Sequence, residues 1–504
     1  MALEWLVFKL LYPYADYFTD SYTYIEAAVD RDAISYRPIG YSLFLRLVHL
    51  LSASDTFLVT LQYALVQGAS LGLVLVMRRR CGLSARTVSV LMAFLVLNPL
   101  IPYTCNYVSS DALFLGLSII WFTVLTGLIR DPDWWRLALQ VALLFIIFNL
   151  RYVALFYPVV AVLTILMMEV GRRHGDRVAP VVRREGGAGA TGVTWWFRLV
   201  GVAASIGIVA LGVVLVKQVT RRQTGADIFS AFSGWQIANN ALNIAPNIDM
   251  DTADLSSPQC RELARMVGAY FEKAGPALRA GPHGLTTAYM WDRSLPLHQY
   301  LKVFRRTGGA GAAGYFIAWN RVAPVFTGFG YSIIRRHPAA FLHYYCWPSA
   351  KGFFLPDLDV FAVYNCGNDT VDAVASDWFG YGTTKPKVWS ATAQGRLLAP
   401  MPWFYLLLNI GFVVVALPLL GWDTRSRARR ARNQLLSRCF QLAAAFLVAN
   451  ACFCIFASPS VLRYQVLPMI LLFVFIVCAL SHLINPFFLS NLKVKIADDV
   501  HQRQ

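Results

Sequence analysis

Apolar residues run through this chain in blocks of bilayer length, separated by shorter polar stretches. After a first apolar stretch at residues 1–15, long apolar windows fall near 55–77, 86–103, 111–129, 137–150, 152–170 and 196–216. A polar interval of about 180 residues follows, and then three more windows near 402–421, 439–457 and 462–484. A helix crosses the hydrocarbon core with roughly 20 apolar residues, and only closed hydrogen-bonding structures are tolerated there. The pattern therefore predicts an all-α polytopic membrane protein with about ten transmembrane segments, the first either short and tilted or starting upstream of residue 1. A mostly α extracytoplasmic domain is inserted before the last three spans. Residues 1–216 form a transmembrane core with a first outer loop at 14–37, residues 217–400 the inserted domain, and residues 401–504 the closing spans and a cytoplasmic tail.

Orientation comes from arginine placement, because Lys and Arg gather in cytoplasmic loops. Arginines cluster at Arg78-Arg79-Arg80, from Arg130 to Arg136, at Arg172-Arg173 with Arg183-Arg184, and in TRSRARRAR from Thr424 to Arg432. With these inside, alternation places 14–37, 103–110, 217–400 and 458–462 outside. The 217–400 segment is long enough for a folded domain and rich in aromatics, as in GWQIANNALNIAP and FLHYYCWPSAKGFFLPD. Within it SPQCRELARMVGAYFEKA reads as an amphipathic helix, and RTGGAGAAGYF as a loop or Gly-rich helix start. No Lys-Ser/Thr follows that glycine run, so it is not a phosphate loop. EGGAGATG, from Glu185 to Gly192, has linker composition. The amino terminus lacks the basic n-region and small-residue cleavage site of a signal peptide.

Composition agrees with the pattern. Of 504 residues, 57% are hydrophobic and only 14% charged, against about 25% charged in soluble domains, and mean hydropathy is +0.50. The net charge of +17 does not point to nucleic acid, since the arginine runs lie beside spans and lack stacking aromatics. The nine cysteines make no zinc pattern. Cys452 and Cys454 sit within an apolar span as packing residues, and an exported 217–400 segment has room for a Cys346–Cys366 disulfide.

The residues able to do chemistry fall on one side. Asp16 and Asp20 close the first apolar segment, and Asp20 precedes an aromatic helix start with Tyr22 and Tyr24; it suits an N-cap as well as a base. Arg37-Pro38 fixes the backbone entering the next helix. In NYVSSDALFLG, Ser109 or Ser110 with Asp111 suits a helix cap, yet Asp111 shares the face of Asp20, and two converging carboxylates suit a general base with an orienting or metal-binding partner. Arg151 separates two apolar windows with hardly any loop, so it must face a polar cavity or the interface. Arg463-Tyr464 in SPSVLRYQVLP and Lys217 sit at outer helix ends. Guanidinium groups on one face, opposite carboxylates, fit a lipid phosphate. His337 and His343 are six apart, not the i, i+4 metal spacing.

The order of these motifs resembles the GT-C class of polyprenyl-phosphate-sugar-dependent glycosyltransferases, which includes aminoarabinose transferases and protein O-mannosyltransferases. The resemblance rests on FTDSYTYIEAA, RPIGYSLFLRLVH, NPLIPYTCNYVSSDALF, RYVALFYP and LRYQVLP in that order, and covers 14–170 and 400–484. It implies a bacterial inner-membrane enzyme that passes a sugar from a polyprenyl-phosphate donor, with inversion, to a lipid, glycan or protein acceptor. The first-loop acid, the catalytic base of the class, falls on Asp20 and the second-loop acid on Asp111, with Asp16 and Tyr24 as secondary candidates. The carrier phosphate would be held by Arg37, Arg151, Arg463, Tyr464 and Lys217. The usual paired acids of the first loop reduce to Asp16 and Asp20, four residues apart, and a divalent metal at the carboxylates stays open. The rival class, a transporter or lipid flippase without glycosyl transfer, predicts mid-span charges and internal repeats with broken helices; no repeat is visible. A scaffold would leave the intramembrane arginine unexplained.

The orientation is directly testable. A reporter fused after Arg80 or Arg430 is expected to signal from the cytoplasm, and one within 240–390 from outside. A cytoplasmic signal from the 240–390 fusions would overturn the topology.

Overall fold

In a computed structural model of the chain, the described residues are 1–168, 195–250, 255, 257–280, 285–307, 314–421, 427–458 and 460–482. They are helical throughout, with two isolated β-bridges in place of any sheet. The Arg172-Arg173 and Arg183-Arg184 clusters, EGGAGATG, most of the 306–316 glycine run and the tail after Asn485 lie outside them.

The first half contains α1 (Ala2–Leu11), α2 (Thr19–Val29), α3 (Gly40–His49), α4 (Asp55–Cys81), α5 (Ala85–Leu97), α6 (Leu100–Asn106), α7 (Ser110–Arg130), α8 (Trp134–Leu150), α9 (Tyr157–Met167) and α10 (Trp195–Thr224). Among the described residues, six helices are long and apolar enough to cross a membrane: α4, α7, α10, Ala393–Ala416, Leu435–Ala457 and Leu462–His482. The pair α5–α6, bent by 44°, makes a seventh if counted as one. The remaining expected crossings are α1, α8 and the Tyr152–Met167 stretch, all of 17 residues or fewer. Where ten segments are expected, the described residues thus give six helices of crossing length, or seven with the bent pair, and three that are shorter. α1 leans on α4 through Trp5, which stacks on Tyr63 at 4.4 Å and donates to Thr60 Oγ1.

Local chemistry sets the ends of the long helices. The Ser54 side chain caps α4, and Gly82, at φ 58°, ends it after three arginines, a left-handed position where glycine meets no Cβ penalty. Arg80 then pairs with Asp131 at 3.3 Å and bonds the Gly127 carbonyl, tying the last turns of α4 and α7. The first turns of α4 and α7 therefore share the opposite end of the bundle, where the polar loops collect.

The 217–400 segment divides between two cores. One is its own: α11 (Ala231–Ile244), α12 (Pro258–Ala280), Pro296–Arg306 and Tyr315–Arg336 enclose Trp235, Phe326 and Leu263. The other part, from Phe353 to Leu398, joins the core of the apolar helices. It is stitched there by Tyr364 donating to the Ala15 carbonyl at 2.7 Å, Tyr12 to the Ser390 carbonyl at 3.0 Å, and Tyr107 to the Val360 carbonyl at 2.7 Å. Cys346 is buried and Cys366 exposed, and neither is in a disulfide. The expected Cys346–Cys366 disulfide is therefore not formed: Cys346 is packed into the core around Trp235, whereas Cys366 stands exposed.

Asp16 joins the first two loops at the polar end. Its N–H donates to the Asn106 carbonyl at 2.8 Å and its carbonyl accepts from Val108 N–H at 3.1 Å, a parallel bridge with Tyr107. Its side chain accepts from the N–H groups of Tyr17 and Asn365. Asn365 and Cys366 adopt φ of 49° and 51° to make that turn, a conformation asparagine tolerates better than most residues. Burial pushes the Asp16 carboxyl up to about 7, against these hydrogen bonds, which favour the charged form.

Two consequences can be measured. A carboxyl with a folded-state value near 7, against about 3.8 unfolded, contributes stability below pH ~4 that is lost as pH rises towards 7. Asp16→Asn keeps the acceptor oxygen and does not ionise. Its unfolding midpoint is expected to gain on wild type as pH rises from about 4 to about 7, and parallel profiles would refute the shift. Packing of α11 on Tyr315–Arg336 is equally exposed to test. A Cβ on Gly330 would lie 2.6 Å from the Ile237 carbonyl oxygen, and one on Gly234 2.4 Å from that of Ala323. Gly330→Ala is expected to cost about 1–3 kcal/mol. Gly352→Ala, which meets nothing within 4 Å, is expected to leave the unfolding midpoint unchanged or raise it.

Candidate functional site

The Asp16–Tyr107 bridge is parallel, so residues at equal offsets beyond it emerge side by side. Four residues on stand Asp20 and Asp111. Asp20 is the second residue of α2, not its cap. The cap position is Phe18, whose N–H is taken by the Ser21 side chain. Asp111 lies in the first turn of α7, behind Ser109, whose hydroxyl accepts from the Asp111 N–H and donates to its carboxylate. The Gln62 side chain, wholly buried, holds this loop by donating to the carbonyls of Cys105 and Tyr107.

A second parallel bridge does the same for the opposite charge. Asp357 pairs with Val461, and the Leu462 N–H donates to the Asp357 carbonyl at 2.9 Å. Two residues beyond it, Arg463 Nε meets Asp359 at 3.4 Å. Arg463 opens the last helix in a 3-10 turn, Leu462–Gln465, and its Nη1 lies 3.9 Å from Asp20 and 3.8 Å from Asp111. Arg37 Nη2 bonds Asp20 Oδ1 at 2.5 Å. Arg151 stands at the break after α8 in extended backbone, φ −152°, and pairs with Asp111 Oδ1. The break aims its side chain into the protein interior, which meets the demand that an arginine between apolar windows face something polar.

These five groups line one cavity of about 450 Å³. Aromatic rings cover the guanidinium faces. Arg37 lies 5.0 Å from the Phe232 ring and 5.3 Å from Trp291, and Tyr464 stands between Arg151 at 4.7 Å and Arg463 at 4.9 Å. Such contacts stabilise a cation while leaving its edge free to bind an anion. Tyr24 also lines the cavity, its hydroxyl 2.9 Å from Ser110 Oγ. Much of the remaining lining is apolar, with Phe114, Phe156, Phe446, Phe453 and Leu467.

Burial raises the Asp20 carboxyl, but the guanidinium groups of Arg37, Arg463 and Arg151 outweigh that and hold it below the usual carboxylate range. Asp20 is thus ionised at neutral pH, with Oδ1 held by Arg37 and Oδ2 facing Arg463 more loosely.

Two expected members lie elsewhere. Lys217, in α10, is half exposed and pairs with Asp227 at 3.1 Å, outside the cavity lining. Asp16 is buried in the loop bridge and is also absent from the lining. A divalent metal does not fit the carboxylates. Both give their oxygens to guanidinium groups, and among the described residues no three His, Cys, Asp or Glu side chains converge. The structure adds Asp359 behind Arg463 and, from α11, Phe232, Gln236 and Asn240. The i, i+4 amides of Gln236 and Asn240 were readable in GWQIANNALNIAP as a polar stripe; Asp359 carried no signal.

No family model matches this chain, and neither a curated protein nor a solved structure does.

Proposed function

We propose that this protein is an inner-membrane glycosyltransferase of the GT-C kind. It would move a sugar from a polyprenyl-phosphate donor to a lipid, glycan or protein acceptor on the extracytoplasmic side. The observation that carries the reading is the convergence of Asp20, Asp111, Arg37, Arg151 and Arg463 on one cavity that also presents a large apolar surface. Such a cavity suits a ligand with an anionic head and a hydrocarbon tail. The acceptor oxygen attacks the anomeric carbon with inversion, the bond from that carbon to the phosphate oxygen breaks, and the electron pair leaves with the polyprenyl phosphate. The hydroxyl proton passes to Asp20, whose Oδ2 has the weaker contact. The arginines take the charge that develops on the leaving phosphate, usually the largest electrostatic contribution.

The interlocked charges give this site a built-in order of events. Without donor, the guanidiniums depress the proton affinity of Asp20, which keeps it ionised and makes it a poor base. An arriving phosphate competes for Arg37 and Arg463, and each contact it takes over raises the basicity of Asp20. The base is then strongest when the donor is seated.

Asp20→Asn tests this against a purely structural ion pair. The change removes a negative charge beside Arg37 and Arg463, so bare polyprenyl phosphate is expected to bind at least as tightly as to wild type. Transfer of label from a radiolabelled polyprenyl-phosphate sugar is expected to fall by about 10²-fold or more. Loss of both together would mark Asp20 as structural. Movement of intact donor across the membrane, with no label reaching any acceptor, would favour the flippase class.

A further inference from the structure

Three of the helices of crossing length end against one short segment. Residues Pro338 to Phe354 form an unbroken helical run. Ser349 Oγ donates to the Cys454 carbonyl at 3.4 Å, close to the end of Leu435–Ala457. The Phe353 ring meets Tyr405 edge-on, centroids 6.1 Å apart, close to the start of the helix Met401–Gly421. Asp357 then pairs with Val461 and accepts from the Leu462 N–H, where Leu462–His482 begins. Steps of four residues thus carry one stripe of the segment past the ends of three apolar helices. Its buried residues divide in the same way. Tyr345 and Cys346 belong to the core around Trp235, and Phe353 to the core of the apolar helices.

The stripe turned away from these contacts is apolar. Leu342, Tyr344, Trp347, Phe354 and Leu355 are each between 37% and 61% exposed, and a contiguous exposed patch of this kind marks an interaction surface. Lys351 stands exposed among them, its Nζ 5.7 Å from the Trp347 ring, and Arg335 stands exposed just before the segment. From Tyr315 to Pro356 the chain carries four Lys or Arg residues and no Asp or Glu. From this arrangement we infer that the exposed face of Pro338–Leu355 lies in the headgroup layer of the bilayer and binds anionic phospholipid. Trp347 and Tyr344 sit at the hydrocarbon boundary, where such rings are enriched, and Lys351 and Arg335 reach the lipid phosphates. The depth follows from the three helix ends, and the sign of the lipid charge from a stretch with no acid. The inference goes beyond the glycosyltransferase reading and does not depend on it. Cys454, which Ser349 holds, lines the cavity, so this lipid contact also sets the depth at which the cavity stands.

A bimane fluorophore on Tyr344→Cys, in a full chain whose exposed Cys366 and Cys452 are replaced by serine and alanine, reports on this face. The protein is reconstituted in mixed phosphatidylcholine and phosphatidylglycerol bilayers with bromine on the acyl chains of one lipid or the other. Iodide is the aqueous quencher, and the same label on Arg305→Cys, an exposed position of Pro296–Arg306, is the reference for water. At position 344 brominated lipid is expected to quench, and iodide to quench at most about a third as strongly as at 305. Brominated phosphatidylglycerol is expected to quench about two- to fivefold better than phosphatidylcholine at equal mole fraction, since one basic residue at an anionic surface contributes about fivefold. Adding Lys351→Gln and Arg335→Gln is expected to bring that preference to about one while quenching by lipid persists, which also reports that the variant is folded and seated. Iodide quenching at 344 equal to that at 305 overturns the inference, because the face is then in water. Equal quenching by the two lipids before the charges are removed overturns it too, as does a preference that survives their removal. Protection from lipid and iodide alike means that a protein covers the face, and overturns it as well.

Discussion

The backbone bridge between Asp16 and Tyr107 is the constraint on which the rest of the site depends. It brings two loops separated by about 90 residues into parallel register, and equal offsets then deliver Asp20 and Asp111 to one place. The Asp16 side chain takes a third strand of chain, through Asn365, into the same knot. A carboxylate held in this way costs desolvation, but its hydrogen bonds to backbone N–H groups make the junction directional. The Asp357–Val461 bridge repeats the device for Arg463 and Asp359. Neither bridge grows into a sheet. Each is a single clamp at the end of helices too long and apolar to adjust themselves.

Charges brought together in this way must balance. Three arginines and two aspartates share the cavity, Asp359 stands behind Arg463, and aromatic rings cover the guanidinium faces. Pairs this enclosed give weak net stabilisation, because desolvation offsets much of their attraction, whereas removal of one partner leaves a costly unpaired charge. Such a network is better suited to exchanging partners with an incoming anion than to holding a fold. The knot of Asp16 holds the loops, and the arginine–aspartate network stands one turn beyond it.

The second core of the 217–400 segment brings α11 to the opposite wall. Its approach depends on Gly234 and Gly330, where α11 and Tyr315–Arg336 leave no room for a Cβ. A helix seated so closely holds its buried amides in a fixed orientation, so that Gln236 donates to Asn240 and Asn240 to the Ala457 carbonyl in one direction. The remainder of the segment, from Phe353 to Leu398, belongs energetically to the membrane helices, and the boundary at residue 400 expected from hydropathy cuts through a packed unit.

Hydropathy and arginine placement by themselves determined the helical class, the positions of the long apolar helices and the crowding of Asp20, Asp111, Arg37, Arg151 and Arg463 at loop ends. These properties are local, since a bilayer-length apolar run or a charge beside it can be recognised without knowing its neighbours. Pairing was decided only by the tertiary structure. Lys217 looked equivalent to Arg151 along the chain, yet a nearby Asp227 took it. Asp20 looked like a helix cap, but Ser21 takes the Phe18 N–H and leaves Asp20 to Arg37. Asp359 comes from a part of the chain with no local mark of function, and nothing along the chain links it to Arg463. Which charges meet follows from contacts between residues from ten to more than 400 positions apart, and a pattern read along one dimension carries no record of them.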